Sequence, residues 1–136
     1  MSESRAEDVA AIRAVLVASY RAWDAGDADG MVAAYTTDAT AVMTGSLRES
    51  RDVIRRSMAL GFDGPLKGSS TYNKQLSLRF LGRDGAIVVT ESGILFPGET
   101  EVPDQRRVNA TWVLEKRDDR WLIAAYHNSP VLAPAN

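Results

Sequence analysis

The tightest constraint on this chain is a change in its hydrophobic period. Up to about Leu60 apolar residues recur every three or four positions, and from Leu76 onward they recur every second position. The first spacing marks one face of a helix and the second one face of a strand. Helices therefore come first and hairpin-linked strands follow, an α+β order in which helices cover one face of an antiparallel sheet. With 136 residues, the chain can bury roughly two-thirds of its unfolded surface as one domain. The expectation is a single domain over residues 1–136, with its core from about Val9 to Pro130.

Val9, Ile12, Leu16, Ser19/Tyr20 and Trp23 define the first helix face. Its cap is expected near Glu3 or Ser4, and Glu7 and Asp8 suit the positive end of the helix. Gly26 can end it in a left-handed conformation. Asp27 is placed to cap a second helix reaching about Tyr35, with Met31, Val32 and Tyr35 inward. Thr40–Thr44 reads as a strand closed by Gly45-Ser46, and Ser50 as the cap of a third helix over about Arg51–Leu60, with Val53, Ile54 and Met58 inward. Gly61, Gly64, Pro65 and Gly68 form a loop. Leu76, Leu78 and Phe80 then alternate with Gln75, Ser77 and Arg79. Asp84-Gly85 is a hairpin turn into a return strand, Ala86–Phe96, and a loop runs from Pro97-Gly98 to about Pro103. Arg106–Lys116 places Val108, Ala110, Trp112 and Leu114 on one face. Asp118-Asp119 turns the chain into Arg120–Ser129, and Pro130 and Pro134 end the pairing.

Composition removes several functions. The 16 basic and 18 acidic residues leave a net charge of −2 with no basic stripe, which argues against nucleic acid. No cysteine is present, so disulfides and thiol chemistry are excluded. A lone histidine, His127, does not make a zinc site. No Gly-rich phosphate loop, Ser-His-Asp order or HExxH pattern is present, so no cofactor or metal is implied. The polar N-terminus does not read as a signal peptide, and no run of about 20 apolar residues suggests a membrane span. The expected location is cytoplasmic.

Four stretches carry a family resemblance: Trp23-Asp24-Ala25-Gly26-Asp27, Tyr35-Thr36-Thr37-Asp38-Ala39, Gly64-Pro65-Leu66-Lys67-Gly68-Ser69, and Trp121 through Ser129. In this order they resemble the nuclear transport factor 2-like superfamily, in its SnoaL-like and ketosteroid-isomerase-like branch. The Leu-Lys-Gly-Ser stretch and the terminal His-Asn-Ser-Pro are most similar to the SgcJ/EcaC group of natural-product pathways, including enediyne polyketide biosynthesis. The resemblance implies an NTF2-like cone of three helices on a curved antiparallel sheet, a pocket for a hydrophobic small molecule, and a homodimer through the outer sheet face. It also sets the isomerase's catalytic positions. The helix tyrosine falls at Ser19, one residue from Tyr20. The base falls at Met43, and the oxyanion-hole aspartate at Ala110 or Trp112. None of these carries the isomerase's group, so that mechanism is not expected.

On the same alignment Met43 faces the pocket with Tyr35 beneath it, and Ala110, Trp112 and Leu114 face in from the penultimate strand. On the last strand Tyr126, Asn128 and the deeper Ala124 face in, while Trp121, Ile123 and His127 point outward and make that face apolar enough for a dimer contact. Asn128 can donate to and accept from a ligand carbonyl or hydroxyl, or pair with backbone at the strand end. Tyr126 and Tyr35 offer hydroxyls to the pocket or serve as core aromatics. Trp23 and Trp112 could stack on a flat ligand or simply pack. His127 reads as an acid–base group or as an interface histidine. A pocket-facing Glu91 would be a base and an outward one a solvated carboxylate, the orientation expected here. Asp24, Asp27 and Asp38 read as turn and cap residues, and Arg48, Arg51, Arg55 and Arg56 as a solvated cluster around the third helix. The catalytic candidates are therefore Asn128, Tyr126 and His127. Two functional classes follow: a cofactor-independent enzyme or accessory protein of polyketide-type biosynthesis, or a non-catalytic ligand-binding or dimerisation module.

Overall fold

A computed structural model describes residues 3–131. Helix α1 spans Glu3–Asp24, so its N-cap lies outside the described residues, as does Pro134. Ile12, Leu16 and Ser19 are buried along one face, at the helical spacing seen in the sequence. Gly26 ends the helix with a φ of 67°, the left-handed geometry that glycine adopts without a Cβ clash. Helix α2 is only Ala28–Val32, capped by the Asp27 carboxylate, which accepts from the Gly30 amide at 2.9 Å. Tyr35 does not extend α2 but opens strand β1, Tyr35–Met43. A short strand β2, Ser46–Arg48, begins in the Gly45-Ser46 turn and is not expected from the sequence. Helix α3 covers Arg51–Asp63, capped by the Ser50 hydroxyl, and adds Phe62 to the buried Ile54 and Met58.

Four long strands complete the chain: β3 (Ser70–Leu81), β4 (Gly85–Leu95), β5 (Val108–Arg117) and β6 (Arg120–Pro130). A single turn of 3₁₀ helix, Asp104–Arg106, precedes β5. The six strands form one sheet in the order β2-β1-β6-β5-β4-β3. Every neighbouring pair is antiparallel except β1 with β6. Asp118 and Asp119, with φ of 51° and 62°, make the two-residue turn whose twist matches a hairpin. In the β3–β4 connection the left-handed residue is Gly82 rather than a residue of Asp84-Gly85, and Gly85 already pairs with Leu81.

The pairing shifts register at three places, in β1–β6, β3–β4 and β5–β6, and the last two are bulges that each correct an expectation. In β3, Gln75 pairs with Thr90 and Ser77 with Val89, so Leu76 has no partner. It is 51% exposed rather than part of the inward row. In β6, Ala125 pairs with Val113 and Ile123 with Leu114, which leaves Ala124 as the extra residue. A bulge adds one residue to the count without moving the partner strand. Trp121 and Ile123 therefore turn inward with Tyr126 and Asn128, at 4% and 0% exposure, instead of facing out. Trp121 packs against Phe80 and donates its indole N–H to the Asp8 carboxylate at 3.0 Å. Asp8 also accepts from Lys116 at 3.1 Å. Its role is thus to tie α1 to β5 and β6, beyond favouring a helix end.

Candidate functional site

The helices and the concave face of the sheet enclose a cavity of about 390 Å³. Its walls come from α1 (Ser19, Tyr20, Trp23), β1 (Tyr35, Ala41, Met43), α3 and the inward rows of β3 to β6. Tyr20, Trp23, Tyr35, Met43, Trp112, Tyr126 and Asn128 all line it. Ala110 is buried but does not line it. His127 is exposed, opposite Thr111 and Val42 on the convex face. Period two holds locally between Tyr126 and Asn128, so the strand twist does not bring the imidazole into the cavity.

Three aromatic rings build one side. Trp112 is 6% exposed. It meets Tyr126 at a ring separation of 4.4 Å and Tyr20 edge-on at 5.9 Å. Trp23 stands edge-on to Phe62 at 5.5 Å and donates its N–H to the Ser69 hydroxyl at 3.0 Å. It both packs and lines the cavity. Ser69 in turn donates to the Leu66 carbonyl at 2.7 Å. The Leu-Lys-Gly-Ser loop therefore anchors the end of α1, a structural task for that stretch.

Polar groups gather in two places. Asn128 donates its side-chain amide to the Tyr126 hydroxyl at 2.8 Å. A phenol oxygen that accepts in this way keeps its own proton free for another acceptor. The second group was not evident in the sequence. Trp112 donates to Thr90 at 3.2 Å, Thr90 shares a hydrogen bond with Ser92 at 2.8 Å, and Ser92 donates to Asn73 at 2.8 Å. The signal that could have shown it is that Thr90 and Ser92 hold the inward parity of an otherwise apolar strand. Glu91, between them, pairs across the sheet with Lys74 and Asn109, on the convex side as expected.

Among the described residues, none that lines the cavity is Asp, Glu or His. Burial pushes the phenols of Tyr20, Tyr35 and Tyr126 above their ordinary range, with the neighbouring Tyr126 hydroxyl adding to the shift of the other two. For Tyr126 the Asn128 amide works in the opposite direction. These tyrosines are neutral donors at neutral pH. A group whose folded pKa is raised contributes stability below its unfolded pKa and loses it as pH rises. An absorbance titration at 295 nm should therefore show the three pocket phenols protonated past about pH 10, ionising together with alkaline unfolding. Stepwise ionisation of the three pocket tyrosines in the folded protein near the free-phenol value would contradict this.

The arginine cluster does not stay together. Arg55 and Arg56 pair with Asp52 at 3.1 and 3.0 Å, and Arg51 donates to the Tyr35 carbonyl at 3.3 Å. Arg48 alone of the four reaches the cavity wall. Among the described residues no group of three His, Cys, Asp or Glu could hold a metal ion, and no helix is long and apolar enough to cross a membrane.

A helix-covered, bulge-bent sheet with a cavity on its concave face defines the cystatin-like, NTF2-like fold. A family model described as a SnoaL-like domain matches residues 12–134, and the chain belongs to that family. Solved structures agree. A domain of unknown function with a cystatin-like fold from Nostoc punctiforme is 25% identical, with a TM-score of 0.86 over 98% of this chain and 81% of that one. An NTF2-like protein from Novosphingobium aromaticivorans is 16% identical, with a TM-score of 0.83 over 97% of this chain and 87% of that one. A ketosteroid isomerase-like protein from Erwinia carotovora atroseptica is 18% identical, with a TM-score of 0.74 over 93% and 98%. Comparison with curated proteins gives no match.

Proposed function

We propose that the chain binds a largely apolar, oxygen-bearing small molecule in the cone, with Tyr126 and Asn128 holding a carbonyl or hydroxyl of it. The observation that carries this is the Asn128–Tyr126 hydrogen bond of 2.8 Å at the wall of a cavity of about 390 Å³. That volume falls in the usual range for small-molecule sites, which are mostly apolar with a few placed polar groups. Trp112 and Trp23 offer surface for a flat ring system. The resemblance to the SgcJ/EcaC group supports a polyketide-derived ligand and a place, as enzyme or accessory protein, in natural-product biosynthesis. Met43 lines the cavity where the resemblance sets the isomerase base. Any catalysis would thus work by orienting the ligand in a dry site and polarising a carbonyl, not by a carboxylate base. The same lack of a titrating base favours the second reading, a carrier or sensor without turnover. The homodimer implied by the resemblance would use the convex face, where Val42 and His127 are exposed. A cytoplasmic location fits this reading.

Titration with a hydroxyanthraquinone, followed by tryptophan fluorescence, tests the site. Tyr126→Phe and Asn128→Ala are each expected to weaken binding roughly 5–10-fold, the worth of about one hydrogen bond, while His127→Ala leaves it unchanged. New product on prolonged incubation would favour the enzyme, and binding without product the carrier. Binding that ignores both Tyr126→Phe and Asn128→Ala would remove the assignment.

A further inference from the structure

Arg48 ends β2 opposite Ala41 and lines the cavity. Its guanidinium donates to the Met58 thioether at 3.3 Å. A thioether is a weak acceptor. The described residues give Arg48 no carboxylate within ion-pair distance, whereas Arg106, the other arginine in the wall, pairs with Glu99 at 2.5 Å. The Tyr35 phenol is the titratable neighbour that acts on Arg48, and burial keeps that phenol neutral. Burial lowers the guanidinium's pKa from its ordinary value, yet arginine stays charged at any physiological pH. A half-buried cation beside a thioether gives up part of its hydration without a matching anion, and a methionine or leucine would suit Met58 better. An anion supplied by the ligand makes sense of it.

We propose that the ligand of this cavity is a hydrophobic acid, whose ring body lies against the tryptophans and whose carboxylate or equivalent anionic oxygen pairs with Arg48. This rests on the cone being a small-molecule site. The planar guanidinium can grip a carboxylate with two parallel hydrogen bonds, the stronger form of charge-assisted pairing.

The experiment compares 2-naphthoate with its methyl ester, two probes of nearly the same shape, by calorimetry at moderate salt. The unaltered chain should bind the acid about 10-fold or more tightly than the ester, a gap typical of a hydrogen-bonded charge pair. In Arg48→Met that preference should vanish while the ester binds within about twofold of before, which also certifies that the pocket is intact. Arg48→Lys should keep part of the preference, because it keeps the charge but not the fork. Equal binding of acid and ester by the unaltered chain, or a preference that survives Arg48→Met, overturns the proposal and leaves the pocket standing. If neither probe binds while the hydroxyanthraquinone does, this proposal falls and the small-molecule reading stands; if none of the three binds, both fall.

Discussion

Trp112→Ala is expected to lower stability by about 3 kcal/mol, the low end of the range for removing a buried tryptophan. Trp112 is 6% exposed and joins three elements: it touches Tyr20 of α1 and Tyr126 of β6, and it donates to Thr90 of β4. Its loss takes away a large apolar area and two aromatic contacts. The low end applies because the ring already lines a cavity. Truncation enlarges a space that water can enter, so the cost is mainly transfer of apolar surface and less an enclosed void. Against a total of about 5–15 kcal/mol for a domain, this is severe. It corresponds to a fall of roughly 10–15 °C in Tm at this chain length. Trp112→Phe keeps a ring between the tyrosines. The Thr90 hydroxyl still has Ser92 as a partner at 2.8 Å, so little is orphaned and about 1 kcal/mol is expected. Urea denaturation of both variants measures the difference. A loss below about 1 kcal/mol for the alanine variant would mean that the cone closes over the gap.

The elements whose signals are local were legible from sequence. Ser50 and Asp27 cap helices because a short acceptor stands just before an apolar run, and Gly26 is left-handed because the chain must turn sharply there. The inward row Ala110, Trp112 and Leu114 follows from strict alternation. What depended on counting across an irregularity was not legible. Starting from Tyr126, period two sends Trp121 and Ile123 to the wrong face, because nothing in a single strand's pattern announces that Ala124 is unpaired. The adjacent small residues Ala124-Ala125 are the only local hint. Strand β2 was missed because three residues beside a Gly-Ser turn carry no period. Arg48 went with its neighbours for the same reason. Adjacency in sequence grouped it with Arg51, Arg55 and Arg56, whereas the β2–α3 junction separates their directions. The pocket's outline was therefore readable, but its charge was not.

The second large effect depends on that same bulge. Because Trp121 turns inward, its indole N–H needs an acceptor, and Asp8 supplies it at 3.0 Å, at a site where the carboxylate is 13% exposed. Asp8→Ala is expected to cost about 2–3 kcal/mol, since it leaves a buried donor unsatisfied and frees Lys116 from its partner. Asp8→Asn should cost less, because the amide oxygen can still accept from the indole and only the charge is lost. The ordering alanine, then asparagine, then the unaltered chain separates the hydrogen bond from the ion pair. Acid provides an independent check. The Trp121 hydrogen bond, against the opposing effect of burial and helped by Lys116 and Arg5, holds the Asp8 carboxyl below its usual value. A depressed folded pKa means that the contribution is complete above the unfolded pKa, near 4, and is lost as pH falls through the lower folded value. The gap between the unaltered chain and Asp8→Asn should therefore be constant from neutral pH to about pH 5 and shrink below about pH 4. A gap that stayed constant in acid would mean that the carboxylate's charge contributes nothing, and that the clamp between α1 and β6 is held by the indole hydrogen bond alone.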